Sequence, residues 1–398
     1  MKSDIKPDRP CIVVVTKRLD RGGTEQHVTL ISPALRARGI DIELFLLERG
    51  GSLEAAAAPN VPISGLVRTK GRFTHLVCAI FALTRYLQKR RPDAVHFFLP
   101  EPYLAGSLAA MMARRHLRLM SRRSLNYYQH RYFVLAHLER WLHRSTSVLL
   151  GNSRAVVDQL SYEAGNSHKV GLIYNGIALQ KSSDPMARQR ARAELGLSNS
   201  TFTIVTVANL IAYKGHQDLL EALASIAESL PPQWRLVVVG RDDGIGEKLR
   251  KFVTMSGLAD HVDWLGERDD VPRILAAADL FVLPSHEEGF SNALIEAMAS
   301  GLAAVATAVG GNVDAIVDRE TGRLVAPHAP NQLATAILEL ALDSALRQSY
   351  GIAAKHRVEQ LFSLEACVSG YENLYRGLGR MGQGPIQNVI NGLGDELA

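Results

Sequence analysis

Cysteine is scarce: Cys11, Cys78 and Cys367 are the only three in 398 residues, and no close spacing pairs them. That excludes a disulfide framework and a cysteine zinc site, and a reducing compartment is expected. Long apolar runs are missing too, since none approaches the roughly 20 residues that span a bilayer. Behind a charged opening, Cys11-Ile12-Val13-Val14-Val15 is too short for a secretory core, so the expected location is cytoplasmic. A zinc-finger spacing, an RNP-like aromatic motif and a heptad-bearing basic region are all lacking, which argues against nucleic acid as a partner. No tandem repeat is evident, so a solenoid is excluded.

What is present describes two globular units. Hydrophobic residues make up 47% of the chain, and its length exceeds one ordinary core. Charge is divided between the halves: residues 1–180 carry 26 Lys and Arg against 13 Asp and Glu, and residues 181–398 carry 19 against 27. Much of the basic excess lies between Arg68 and Arg144. A solvated helical face, an anionic membrane surface or a phosphate-bearing substrate would each account for it.

Short β-branched runs recur along the chain. They are Cys11–Val15, Asp41–Leu47, Ala94–Leu99, Leu117–Ser121, Ser147–Gly151 and Val170–Tyr174, then Phe202–Val207, Arg235–Val239, Val262–Leu265, Leu280–Pro284, Ala303–Ala308 and Arg323–Val325. Runs so short and apolar read as strands buried on both faces. Between them the apolar period is helical, as from His216 to Leu230. Alternation of this kind predicts two open, mostly parallel α/β sheets. The boundary is expected in Gln180–Pro185, and the Gly-rich tail after Gly379 is expected to be loose.

In such sheets, ligands bind beyond the carboxyl ends of the strands. Three segments there carry chemistry. Arg21-Gly22-Gly23-Thr24-Glu25 joins the first strand to a helix, where paired glycines admit an anion to the helix amides, or simply make a tight turn. Asn209 through His216 repeats that position in the second half, with Lys214 at the helix start able to reach phosphate oxygens. The third segment runs from Pro284 to Gly301, with Glu288 and Glu296 eight residues apart. On a helix that spacing is about 12 Å, close to the reach from ribose to sugar in a nucleotide diphosphate sugar. Carboxylates accept from paired hydroxyls, and amides near Ser291 to Leu294 could hold the diphosphate between them.

These segments resemble the retaining glycosyltransferases of family 4, with the GT-B fold of two Rossmann-like domains facing across a cleft. Glu288 and Glu296 resemble the family's E-x7-E motif, Gly22-Gly23-Thr24-Glu25 its G-G-x-E loop, and Lys214-Gly215 its phosphate-binding K-G. Asn152-Ser153, Ile173 to Gly176, Asp279 through Ser285, Gly310-Gly311 and Thr321-Gly322 are further matches, and Phe362–Tyr375 is similar to the closing helices. The resemblance implies an acceptor domain over 1–180, a donor domain over 181–363, and a final helix, about 364–398, returning to the first domain.

It also implies roles. Glu296 would bind the donor ribose and Glu288 the transferred sugar, with Asn209 beside them. Gly289, Phe290, Ser291, Asn292, Ala293 and Leu294 would add backbone contacts. Lys214 would neutralise the departing diphosphate, and Gly22 and Gly23 would approach the donor from the other domain. No metal and no cofactor beyond the nucleotide-sugar donor is implied. The chain departs from the pattern in carrying Asn209 where Arg is frequent, with Arg241 a candidate replacement. It also carries Arg122 and Arg123 where an acceptor-side His is usual; either Arg could hold an acceptor phosphate or form a surface pair.

The expected reaction is retaining transfer of a sugar to an acceptor hydroxyl, on a lipid-linked or polysaccharide intermediate. The stretch Arg131–Arg144, with Phe133, Val134, Leu135, Leu138 and Trp141, would rest on anionic lipid at the inner membrane face, or else belong to the core. The alternative is a catalytically silent homologue acting as a partner or regulatory subunit.

Overall fold

The computed structural model describes residues 9–126, 129, 132–179 and 186–378. The chain divides into two compact units, one of residues 1–176 with 364–398, the other of residues 177–363. Segment 180–185, where the sequence places the boundary, and the tail after Gly379 lie outside the described residues.

The first unit holds a parallel sheet of seven strands: β1 (Cys11–Thr16), β2 (Asp41–Leu46), β3 (Ile63–Gly65), β4 (Ala94–Phe98), β5 (Arg118–Arg122), β6 (Val148–Gly151) and β7 (Val170–Leu172), in the order β3-β2-β1-β4-β5-β6-β7. Most of its strand residues are buried, because helices cover both faces, and the polar ones among them, such as His96, Ser121 and Arg122, are buried too. Successive β1 side chains go to opposite cores: Ile12 and Val14 join one cluster, Val13 and Val15 the other. The three-residue edge strand β3 is missing from the sequence reading, since Val61-Pro62-Ile63-Ser64-Gly65 has no β-branched run to mark it.

The chain's last described helix, Leu364–Gly377, belongs to this first unit. Cys367, Val368, Tyr371, Leu374 and Tyr375 share a core with Ile12, Val14 and Val28. Tyr375 Oη lies 2.7 Å from His96 Nδ1, and Tyr371 Oη lies 3.2 Å from His27 Nε2. Every polar ring group so paired is buried, and leaving one unmatched would cost about 1–3 kcal/mol.

The second unit has six parallel strands: β8 (Phe202–Val207), β9 (Trp234–Val239), β10 (Val262–Gly266), β11 (Leu280–Leu283), β12 (Ala303–Thr307) and β13 (Gly322–Val325), in the order β10-β9-β8-β11-β12-β13. Strand order reverses between β8 and β11, which pair directly. Where order reverses, the connections leave on opposite sides of the sheet and open a crevice at the strands' carboxyl ends. The segments after β8 and β11 are the two that the sequence singled out.

Candidate active site

The segment after β8 forms a short turn, Ala212–Lys214, and then the helix His216–Ile226. Gly215 links them at φ +68, and a Cβ there would fall 1.9 Å from the Pro284 carbonyl oxygen. Only glycine allows the turn to lie this close to the end of β11. The His286 amide donates to the Tyr213 carbonyl at 2.7 Å, fastening the two loops together.

That fastening sets the central contact. Lys214 Nζ donates to Glu288 Oε1 at 2.7 Å, and Ser285 Oγ donates to the same oxygen at 2.8 Å. The pair is largely shielded from solvent, Lys214 being 19% and Glu288 9% exposed at the side chain. Gly310 and Gly311 complete the shape on the far side. A Cβ on Gly310 would meet the Glu288 carbonyl oxygen at 1.7 Å, and the Gly311 amide donates to the Gly289 carbonyl at 2.9 Å. Phe290 turns inward against Phe362, ring centroids 5.1 Å apart, anchoring the loop to the core.

The helix Asn292–Ala299 then starts at Ser291, whose Oγ accepts from the Leu294 amide at 3.3 Å. Leu294 is a first correction of detail to the sequence reading: its N–H, expected to face a diphosphate, also serves this N-cap. One turn into the helix stands Glu296. Burial pushes its carboxyl up to about 7, and among the described residues no hydrogen-bond donor to it is seen. A carboxyl desolvated without a partner is costly to the fold and is a common mark of a binding position.

Asn209 is exposed, donating to Asp243 Oδ2 at 3.1 Å and accepting from the Arg241 amide at 3.2 Å. Arg241, the candidate replacement for a missing arginine, is held by Asp243 at 2.7 Å. Its charge is thus already neutralised within the loop. Asp242 accepts from the Gly244 and Gly246 amides, each at 3.0 Å, and Asp270 pairs with Arg268 at 2.7 Å. Asp242 and Asp270 thus serve their own loops.

The remaining expected residues lie in the first unit. Gly22 caps the helix Gly23–Ala37, and Glu25 folds back over it so closely that a Cβ on Gly22 would meet Glu25 Oε2 at 2.2 Å. Burial raises the Glu25 carboxyl above its ordinary range, while nearby Arg123 opposes that rise. Burial likewise pulls the Arg123 guanidinium down, with Tyr371, Cys367 and Glu25 as its opposing neighbours. The Glu25–Arg123 association is a feature that motif reading left without a role; the fourth residue of the G-G-x-E pattern was its signal.

Arg122 is a second correction. It is 3% exposed and donates to Glu163 at 2.8 and 2.7 Å and to Glu139 at 2.7 Å. Burial raises the Glu163 carboxyl, but hydrogen bonds from His143 and Arg122 outweigh it and hold the group well below the usual carboxylate range. Arg122 is consumed by a buried network and has no surface from which to hold an acceptor phosphate. The helix Phe133–Ser145 is a third finding against an open alternative. Phe133, Val134, Leu135, Leu138 and Trp141 are 73%, 78%, 40%, 43% and 52% exposed, so they are not core.

Two family profiles account for most of the chain. That described as Glycosyltransferase Family 4 matches residues 21–181, and that described as Glycosyl transferases group 1 matches residues 187–357. The chain belongs to glycosyltransferase family 4. Its fold is the GT-B fold of that family: the crystal structure of Anabaena Alr3699/HepE in complex with UDP and glucose superposes with a TM-score of 0.81, covering 91% of this chain and 98% of that one at 22% identity. Among curated relatives, the D-inositol 3-phosphate glycosyltransferase of Corynebacterium diphtheriae is 30% identical over 247 residues, 60% of this chain and 57% of that protein. The lipopolysaccharide glucosyltransferase WaaG of Escherichia coli is 28% identical over 230 residues, 56% of this chain and 60% of that protein. The chain thus spans somewhat over half the length of each of these two relatives. Among the described residues, no helix is long and apolar enough to cross a membrane.

Proposed function

We propose that this family 4 member transfers a sugar from a nucleotide diphosphate donor to an acceptor hydroxyl, with retention at the anomeric carbon. The observation that carries the reading is the Lys214–Glu288–Ser285 cluster at the strand-order reversal, with the unpartnered Glu296 one helix turn beyond. Glu296 accepts from the ribose hydroxyls, and Glu288 faces the sugar. In the resting protein Glu288 neutralises Lys214. A diphosphate offers the ammonium a stronger anion, and the charge that grows on the leaving oxygen draws it further. Lys214 thereby stabilises the transition state more than the ground state, which is what accelerates a reaction.

The acceptor we propose is a lipid-linked or polysaccharide intermediate, met at an anionic membrane surface. The outward apolar face of Phe133–Ser145, flanked by exposed Arg140 and Arg144, supports it, as does the lipopolysaccharide named for WaaG.

A panel of UDP-, GDP- and ADP-sugars tests the reading, by thermal shift, by slow donor hydrolysis, and by the anomeric configuration of transferred product. At least one donor is expected to raise the melting temperature and to give product of retained configuration. Lys214→Ala is expected to lower kcat by about 10²–10³ while the protein stays folded. Silence toward every nucleotide sugar would favour a non-catalytic partner, and an inverted product would end the retaining assignment.

A further inference from the structure

A second group of chemistry-bearing side chains gathers in the second unit. Asp218 stands in the first turn of helix His216–Ile226, His286 follows β11, and His328 follows β13. One ligand atom from each lies within 4.8 Å of the other two. His286 Nε2 is 2.9 Å from Asp218 Oδ2, and the two imidazole rings overlap with centroids 3.7 Å apart at 37°. We propose that these three residues bind a zinc ion.

The chemistry of the donor set selects the metal. Two imidazoles and one carboxylate suit a borderline divalent ion, whereas magnesium and calcium favour oxygen alone. Around a tetrahedral zinc ion, ligand atoms about 2.0–2.2 Å from the metal stand roughly 3.3–3.6 Å from one another. The 2.9 Å between His286 Nε2 and Asp218 Oδ2 is shorter than that figure and the other separations are at most 4.8 Å, so binding requires the two overlapping imidazoles to turn apart until a nitrogen of each faces the ion. The His286–Asp218 hydrogen bond would give way to coordination.

The surrounding structure holds the ligands ready. A Cβ on Gly215 would lie 3.2 Å from His286 Nε2, so the ring occupies room that glycine leaves, and the His286 amide is tied to Tyr213. His328 adopts φ +56, the left-handed region, which is uncommon for a side-chain-bearing residue and brings its ring over His286. Asp218 and His286 are half-buried and His328 is exposed. Three protein ligands leave a fourth coordination position for water or an anionic oxygen. Such an ion would tie together the loops after β8, β11 and β13, among them those bearing Lys214 and Glu288.

The test is equilibrium titration of the tag-free, chelator-stripped full chain with Zn²⁺, and with Co²⁺ as a spectroscopic probe. One ion per chain is expected, with the intense visible bands of tetrahedral Co²⁺ and a Zn²⁺-dependent rise in melting temperature. His328→Ala alters an exposed loop residue; it should keep the native circular dichroism, weaken binding by at least about tenfold, and abolish the thermal response. Asp218→Asn should weaken binding less than His328→Ala if it too stays folded. Equal Zn²⁺ affinity in the wild type and His328→Ala, or weak octahedral Co²⁺ bands in the wild type, would overturn the proposal.

Discussion

Glu296 carries the clearest titration consequence of any single residue. Its carboxyl sits at about 7 in the folded chain, against 4.5 as its ordinary value, because burial disfavours the anion. The folded state therefore holds a proton that the unfolded chain releases between these limits. Stability is undiminished below about pH 4.5 and is lost as pH rises through 7, by up to about 3 kcal/mol. Glu296→Gln removes that loss, so the ligand-free variant should be more stable than wild type at pH 8 in urea titrations, with the gain vanishing near pH 4. Sugar-nucleotide affinity runs the opposite way, since a carboxylate accepting two hydroxyls must be ionised. Wild-type affinity should tighten about tenfold from pH 6 to pH 8, and Glu296→Gln should bind weakly with a flat profile. A flat wild-type profile would remove Glu296 from the ribose. The eight-residue spacing from Glu288 marked this residue in the sequence, but no spacing could reveal that its carboxyl is desolvated. Arg122 shows the converse, because a basic pair looks the same on a surface as in a buried network with Glu139 and Glu163 that are distant along the chain.

Among the elements, the loops at the strand ends depend on glycines for contact more than for flexibility. Gly215, Gly310 and Gly301 all have positive φ, yet an added Cβ would strike the Pro284 carbonyl at the first and the Glu288 carbonyl at the second, and meets nothing within 4 Å at the third. Gly301→Ala should cost only about 1 kcal/mol of backbone strain, and Gly215→Ala and Gly310→Ala about 2–4 kcal/mol each. Thermal denaturation of the three variants measures the difference, and comparable losses at all three sites would mean the backbones are not in contact. Helix Phe133–Ser145 makes a separate prediction: Phe133→Glu with Trp141→Glu should abolish sedimentation with phosphatidylglycerol vesicles and leave the melting temperature within about 2 °C. Strands buried on both faces were legible because their apolar runs need no partner to be recognised, and all but β3 fall within a residue or two of expectation. An amphipathic helix is less legible. The same five apolar residues suit a core or an outward face, and only their exposure in the folded chain excludes the core.

For the whole molecule, the decisive fact is that the first unit is built from both ends of the chain. Burying a large apolar side chain contributes about 2 kcal/mol, so Val368, Tyr371, Leu374 and Tyr375 together contribute about 8 kcal/mol. A whole domain is stable by roughly 5–15 kcal/mol. A chain ending at Ser363 should therefore lose the first unit to limited proteolysis while residues 177–363 persist as a resistant fragment. Survival of both units would show that the last helix is dispensable. The same architecture governs how the protein is made. As the chain leaves the ribosome, the strands of the first unit emerge earliest but must wait, open along the side that Leu364–Gly377 will cover. The second unit, contiguous in sequence, can close before them. Synthesis order and folding order are thus reversed, and the waiting half is the one for which a chaperone would matter.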